Sequence, residues 1–268
     1  MKIFVFTDLE GCSGVCRFDQ TRRDGPRYEE GRRLLMGDIR ACVDGLAAAG
    51  AEEIIVRDGH GAPYNLIPGR MDPRARYIVG PWAGRPLGGL EPDCDALVLL
   101  GHHAMAGTPD GLLCHTQSDR DGRRYWYNGR ETGEIGQEAL VAGHFDIPVI
   151  LVTGDDAACR EARDFLGHAT GSGPVTVSVK TGLEREGGIL LAPDAAHELI
   201  RAGATEAVSR LDHCDPYTIA CPIAGRLQVM DKDFADRYDC EKNRATRIDD
   251  LTFEATFDSQ RDVLSYLI

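Results

Sequence analysis

The stretch KIFVFTDLEGCSG, Lys2 to Gly14, sets the reading of the whole chain. Its first half is a short apolar run of the kind that forms a buried strand. It ends in two carboxylates, Asp8 and Glu10, followed by Gly11 and Gly14. A strand that only has to turn needs Asn-Gly or Pro-Gly, not two acids spaced by one residue. If the chain stays extended there, Asp8 and Glu10 point to the same side, because side chains alternate along a strand. Two carboxylates held together suit a metal ion, and the two glycines let the backbone bend close to it. Taken alone, the pair reads equally well as turn and cap acids. Other parts of the chain must therefore supply more ligands.

Strand and helix patterns alternate onward from this stretch. Residues 28–50 have helical periodicity and stop at Gly50. Strands follow at 53–57, in ARYIVG (75–80) and in DALVLLGHH (95–103). GEIGQEALVAGHF (133–145) reads as a helix, PVILVTGDD (148–156) as a strand, ACREARDFLG (158–167) as a helix and VTVSVK (175–180) as a strand. Residues 193–211 form a helix with Pro193 near its start. The tail gives a strand in YTIACPIA (217–224), a charged stretch, a strand in LTFEATF (251–257) and a last helix in QRDVLSYL (260–267). This alternation predicts an α/β fold: a largely parallel sheet covered by helices, with a smaller α+β C-terminal lobe. A single catalytic domain, 1–268, is expected, with the metal-site part in 1–165 and a C-terminal part in 166–268.

One regularity connects the elements. EIIVR ends in Asp58, Gly59 and His60; ALVLLG ends in His102 and His103; PVILVTG ends in Asp155 and Asp156. In open α/β sheets, ligands bind beyond the carboxyl ends of the strands, so these residues converge on one rim. Carboxylates and imidazoles are the usual ligands of zinc and related divalent ions. A carboxylate can bridge two ions ~3.5–4 Å apart, and such a pair activates water for hydrolysis. His102 and His103 point to opposite faces, so at most one of them is a ligand. Asp156 reads either as a ligand or as the cap of the helix starting near Ala157. His115, in LLCHTQSD, is a candidate general acid or oxyanion stabiliser, or else a structural histidine. Glu134 opens a helix, where the dipole favours an acid in any case, and Gly133 and Gly136 allow close approach to a site.

Composition limits the partners. The 268 residues carry 30 Lys and Arg against 43 Asp and Glu, a net charge of −13. That argues against nucleic acid, whose phosphates need clustered basic residues, and against an anionic membrane surface. No run approaches the ~18 apolar residues of a membrane span. The nine cysteines lie mostly within apolar stretches, and MKIFVFTDLEG lacks the pattern of an export signal, so they are expected to be reduced and the protein cytoplasmic. C-x-x-x-C at 12–16 lacks the third cysteine of an iron–sulfur motif. There is no G-x-G-x-x-G after a strand, no P-loop and no G-x-S-x-G elbow. Arg22, Arg23 and the RDGRR run at 120–124 read as solvated loops.

Together these motifs resemble the D-aminopeptidase family, peptidase family M55, of the dipeptide-transport-operon type. The family's S-x-D-x-E-G stands as Thr7-Asp8-Leu9-Glu10-Gly11, with Thr for Ser. Its D-S/G-H turn is Asp58-Gly59-His60, its G-x-H-A segment Gly101-His102-His103-Ala104, its loop histidine His115 and its G-E-[LI]-G Gly133-Glu134-Ile135-Gly136. A later G-D-D is Gly154-Asp155-Asp156. The match is strongest over residues 1–160 and loose in the C-terminal third. The resemblance implies two zinc ions per subunit, or other divalent metals, with Asp8 bridging and Glu10, His60, His103 and Glu134 completing the ligands. It gives His115 a catalytic role outside the metal ligands. It selects His103 over His102, which stands where the family often has an aromatic residue. It implies hydrolysis of short peptides with an N-terminal D-residue of the D-alanine type through a metal-activated bridging water, in a ring-like homo-oligomer such as a decamer. Rival expectations are another metal-dependent amidohydrolase or phosphoester hydrolase on this scaffold, with Arg57 and Lys180 as the nearest cations, and a metal-binding assembly protein without turnover.

Overall fold

The computed structural model describes every residue except 62–63, 82–86, 168–171 and 268. The chain runs β1 (Lys2–Thr7), α1 (Tyr28–Ala48), β2 (Glu53–Asp58), β3 (Ala75–Ile78), β4 (Ala96–His102), β5 (Arg124–Tyr127) and β6 (Arg130–Glu131). It continues through α2 (Glu134–Gly143), β7 (Val149–Asp155), α3 (Asp156–Leu166), β8 (Val175–Glu184), β9 (Gly187–Leu190) and α4 (Pro193–Ser209). The end comprises β10 (Ile223–Gln228), α5 (Lys232–Arg237), β11 (Thr246–Arg247) and β12 (Thr252–Phe257).

Seven strands form the main sheet, in the order β3-β2-β1-β4-β7-β8-β9. All its pairings are parallel except β8 with β9. The sheet is therefore the expected α/β core. β4 and β7 are buried along their whole length, as strands covered on both faces must be. Alternate side chains divide between the two faces. Ile3 and Val5 of β1 join the cluster of Leu35, Ile39 and Leu46 from α1 and Ile200 and Ala204 from α4. Phe4, between them, joins the cluster of Ile135 and Leu140 from α2, Ala162 and Phe165 from α3, and Tyr125, Leu227 and Phe253. Each such fully buried Leu, Ile or Phe contributes roughly 1.5–3 kcal/mol.

The last three residues belong to a second, antiparallel sheet of order β11-β12-β10-β5-β6. Its β5 and β6 come from the middle of the chain, so it is not built from C-terminal residues alone. The β5–β6 hairpin turns through Asn128 and Gly129, both at positive φ (49° and 83°). Asn-Gly flanked by alternating residues is a strong hairpin signal; of the 120–124 run expected as loop, β5 takes only Arg124. Two other expectations fail locally. YTIACPIA does not form a strand from 217; pairing begins at Ile223, directly after Pro222, which has no N–H to give to a ladder. QRDVLSYL makes only a 3₁₀ turn over Gln260–Leu264, because so short a segment nucleates an α-helix poorly.

Sheet order reverses direction between β1 and β4. The chain fills β2 and β3 on one side of β1, then crosses to β4 on the other. That reversal opens a crevice beyond the carboxyl ends of β1 and β4. Asp8 and His103 follow those two ends directly.

Candidate metal centre

The loop after β1 is stitched to the end of β4. Asp8 N–H donates to the Leu100 carbonyl at 2.8 Å and Gly11 N–H to the Gly101 carbonyl at 2.7 Å. Gly101 has φ of +77°, and a Cβ at Gly11 would collide with the His102 carbonyl. Glycine is needed at both positions for the loop to lie this close. The extended geometry expected at Asp8–Glu10 is not what occurs: β1 ends at Thr7 and the chain turns. The turn nevertheless brings both acids to one point, with His60 Nδ1 2.9 Å from Asp8 Oδ1 and 2.9 Å from Glu10 Oε2.

Three histidines are oriented in the same way, each with one ring nitrogen near a backbone carbonyl. His60 Nε2 lies 2.9 Å from the Thr21 carbonyl, His103 Nδ1 3.0 Å from that of Ala104, and His115 Nδ1 2.8 Å from that of Leu113. A carbonyl only accepts, so each of these nitrogens carries the proton, and in the neutral ring the other nitrogen presents a lone pair. Those lone pairs face carboxylates. His103 Nε2 is 3.3 Å from Asp8 Oδ2 and 3.6 Å from Glu134 Oε1, and His115 Nε2 is 4.0 Å from Glu134 Oε1. The His103 and His115 rings stack, with centroids 4.0 Å apart.

Acceptor facing acceptor requires a cation between them. Asp8 Oδ2 and His103 Nε2 are buried and have no hydrogen-bond partner. Donor atoms on a tetrahedral zinc ion sit about 3.4 Å apart, close to the separations observed here. The donor atoms of Asp8, Glu10 and His103, and those of His103, His115 and Glu134, form two groups each within 4.8 Å. The residues therefore fit a metal. Protons show the same electrostatic demand. Burial opposes charge on His60, but Glu10 and Asp8 outweigh it and hold the imidazole well above its usual value. Burial also opposes charge on His103, and Glu134, Asp8 and Glu10 push it up to about 9. Burial would raise Asp8, but His60 and His103 keep it well below the usual carboxylate range.

The other strand-end acids have different tasks. Asp58 accepts from the Asn65 backbone N–H at 2.7 Å and from Asn65 Nδ2 at 2.8 Å, while Nδ2 also donates to the His60 carbonyl, so Asp58 holds the His60 loop. Asp155, not Asp156, caps α3, accepting from Ala158 N–H, and its second oxygen accepts from Leu112 N–H. Asp156 accepts from Thr181 Oγ1.

Side chains beyond the expected set also reach the centre. Lys180 is fully buried and donates to the carbonyls of Glu10, Cys12 and Val15 at 2.5, 2.9 and 2.6 Å. It is a support for the β1 loop, not a rim cation. Arg57 is likewise occupied by the Gly80 carbonyl at 3.0 Å. A cavity of about 680 Å³ opens over Asp8, Glu10, His60, His115 and Glu134. Arg22, Arg23 and Arg120 line it, so these arginines border the site instead of lying in remote solvated loops; Arg22 pairs with Asp119. Glu138 lines it too, one helical turn beyond Glu134, and the i, i+4 spacing in GEIGQEAL was the available signal.

A profile of the family described as D-aminopeptidase, peptidase family M55, matches residues 1–268. The chain belongs to the D-aminopeptidase family. A D-aminopeptidase of Bacillus subtilis (strain 168) is 33% identical over 224 residues, covering 81% of this chain and 77% of that protein. The solved structure of a Zn-dependent D-aminopeptidase, DppA from Bacillus subtilis, described as a self-compartmentalizing protease, superposes with a TM-score of 0.90 at 25% identity. The superposition covers 98% of this chain and 94% of that one. The fold is thus the family's, including the mostly parallel sheet and the second, antiparallel one. As a family member the chain is a metal-dependent hydrolase of the peptidase kind.

Proposed function

We propose that this enzyme removes the amino-terminal residue from short peptides, with a preference for D-residues such as D-alanine, at a pair of zinc ions. The observation that carries the reading is the divided carboxylate of Asp8. One of its oxygens faces His60, beside Glu10, and the other faces His103, beside Glu134. Asp8, Glu10 and His60 would hold one ion, and Asp8, His103 and Glu134 the other. When bound, such ions lower the pKa of a water and polarise a carbonyl oxygen.

The chain's own residues supply the remaining functions. His115 keeps its Nδ1 proton on the Leu113 carbonyl, which leaves Nε2 at the cavity to hand a proton to the leaving amine or stabilise developing charge. The buried ring of His103 stacks against it and fixes its plane. Arginines on the rim suit the carboxylate of a short peptide. D-selectivity, the second ion and a ring assembly that admits only short peptides are inferred from the relatives. The free cysteines, of which only Cys221 is exposed, suit a reducing cytoplasm. Arg57 and Lys180, spent on backbone carbonyls, are not available to a phosphoester substrate.

The test is zinc per subunit by elemental analysis in wild type and Asp8→Ala, beside hydrolysis of D-Ala-D-Ala and L-Ala-L-Ala. Two ions in the wild type, loss of most of both in the variant and turnover of the D-dipeptide are expected. Metal binding without hydrolysis of any peptide would favour the assembly-protein alternative, and no metal after reconstitution would sink the mechanism.

A further inference from the structure

One buried acid facing the cavity is not used by the proposed metal ligands. Glu138 is 4% exposed and lies one turn after Glu134 on α2, a spacing that puts the two Cβ atoms ~5–6 Å apart on one helix face. Its Oε2 accepts from His102 Nε2 at 2.6 Å. Among the described residues no hydrogen bond reaches its other oxygen. His102 is itself 1% exposed, and its Nδ1 has no partner, so the imidazole serves Glu138 alone. Burying a carboxylate and an imidazole together is costly unless the pair meets a further charge.

The cavity offers few other anions to a substrate. Asp8, Glu10 and Glu134 face the histidines, Asp119 is held by Arg22, and Asp24 is exposed at the rim. We propose that Glu138, oriented by His102, is the anchor for the amino-terminal ammonium of the substrate. This rests on the aminopeptidase reading and adds a residue to it. An ammonium held at Glu138 and a carbonyl placed over Asp8 and Glu134, all lining one cavity, would fix the substrate at two points. With nitrogen and carbonyl both fixed, the handedness of the α-carbon decides which cavity wall the first side chain meets. Glu138 would thereby confine cleavage to the first peptide bond and give stereoselection two of its three contacts.

The experiment uses zinc-loaded enzyme at neutral pH. D-Ala-D-Ala is the substrate, and D-alaninol, an amine with no bond to cleave, is the binding probe in calorimetry. For Glu138→Gln, KM for the dipeptide and Kd for D-alaninol should both rise about tenfold to a hundredfold, the loss expected for one charge-assisted hydrogen bond, with kcat within about threefold. Zinc content should not change. Glu138→Asp keeps the charge and should recover part of the D-alaninol affinity, which a merely structural role would not predict. His102→Phe should weaken D-alaninol less than Glu138→Gln does. Unchanged D-alaninol affinity in Glu138→Gln would overturn the anchor while leaving the peptidase reading intact. Glu138-dependent D-alaninol binding by a wild type that cleaves no peptide would uphold the anchor and sink the peptidase reading.

Discussion

Lys180 makes the most demanding prediction, because it is far from the proposed metal ligands in sequence and touches none of their side chains. Its ammonium has three N–H groups and three carbonyls to receive them, those of Glu10, Cys12 and Val15. Burial pulls its pKa down, yet a neutral amine has only two N–H groups and would leave one carbonyl unserved. Lys180→Met keeps the length and removes all three donors. A buried acceptor left unpaired costs ~1–3 kcal/mol, and removing the desolvation of the ammonium offsets part of the sum. The net expectation is a loss of about 3–5 kcal/mol, the range for breaking a buried charged network. At ~2–4 °C per kcal/mol for a chain of this size, the unfolding midpoint of the metal-free protein should fall by about 10 °C. Because the three carbonyls belong to the loop that carries Glu10, zinc affinity should also weaken by about 10–100-fold, as for other supports of metal ligands. Thermal unfolding of metal-free protein and zinc titration against a competing chelator measure the two effects separately. A midpoint within about 2 °C of wild type with unchanged zinc affinity would refute the reasoning, and the three contacts would then be incidental.

Three further outcomes are expected. His115→Ala should lower kcat by about 10²-fold or more while zinc content stays at the wild-type level; loss of zinc would make His115 a ligand instead. His103, pushed up to about 9 by Glu134, Asp8 and Glu10 against the opposing effect of burial, must lose its proton to bind zinc. Zinc affinity should therefore climb as pH rises from 6 towards 9, about tenfold per pH unit for each proton displaced, and a flat profile would contradict that competition. Asp72, away from the site and hydrogen-bonded by Arg74, is held at about 2 against an ordinary 3.8. Its folded pKa is the lower one, so its contribution is present above about pH 4 and is lost as pH falls through about 2. Asp72→Asn should cost about 1–2 kcal/mol at pH 7, and the difference from wild type should shrink towards zero near pH 2; an equal cost at both pH values would deny the link to charge.

How much of this could be read from the residues depends on which physics sets each feature. The sheet was legible because β4 and β7 are buried along their whole length and β1 nearly so, and they appear as unbroken apolar runs. Their ends were legible for the same reason: polar side chains stand out against such runs, and Asp8, Glu10, His60, His103, His115 and Glu134 all come to one cavity or its floor. What escaped the sequence was set by contacts between distant segments. Nothing near Lys180 in VTVSVK tells a strand-end lysine from a rim cation; only the crossing of β8 behind the β1 loop buries it. Asp155 and Asp156 are equally good helix caps by type, and the choice between them rests on Leu112 arriving from another loop to share Asp155. The case of His102 and Glu138 is intermediate. The two-residue period put His102 on the face opposite His103, and the helical period put Glu138 beside Glu134. Either period alone marks a residue as near the site. Only the fold brings the two to 2.6 Å, and it does so at the wall of the cavity.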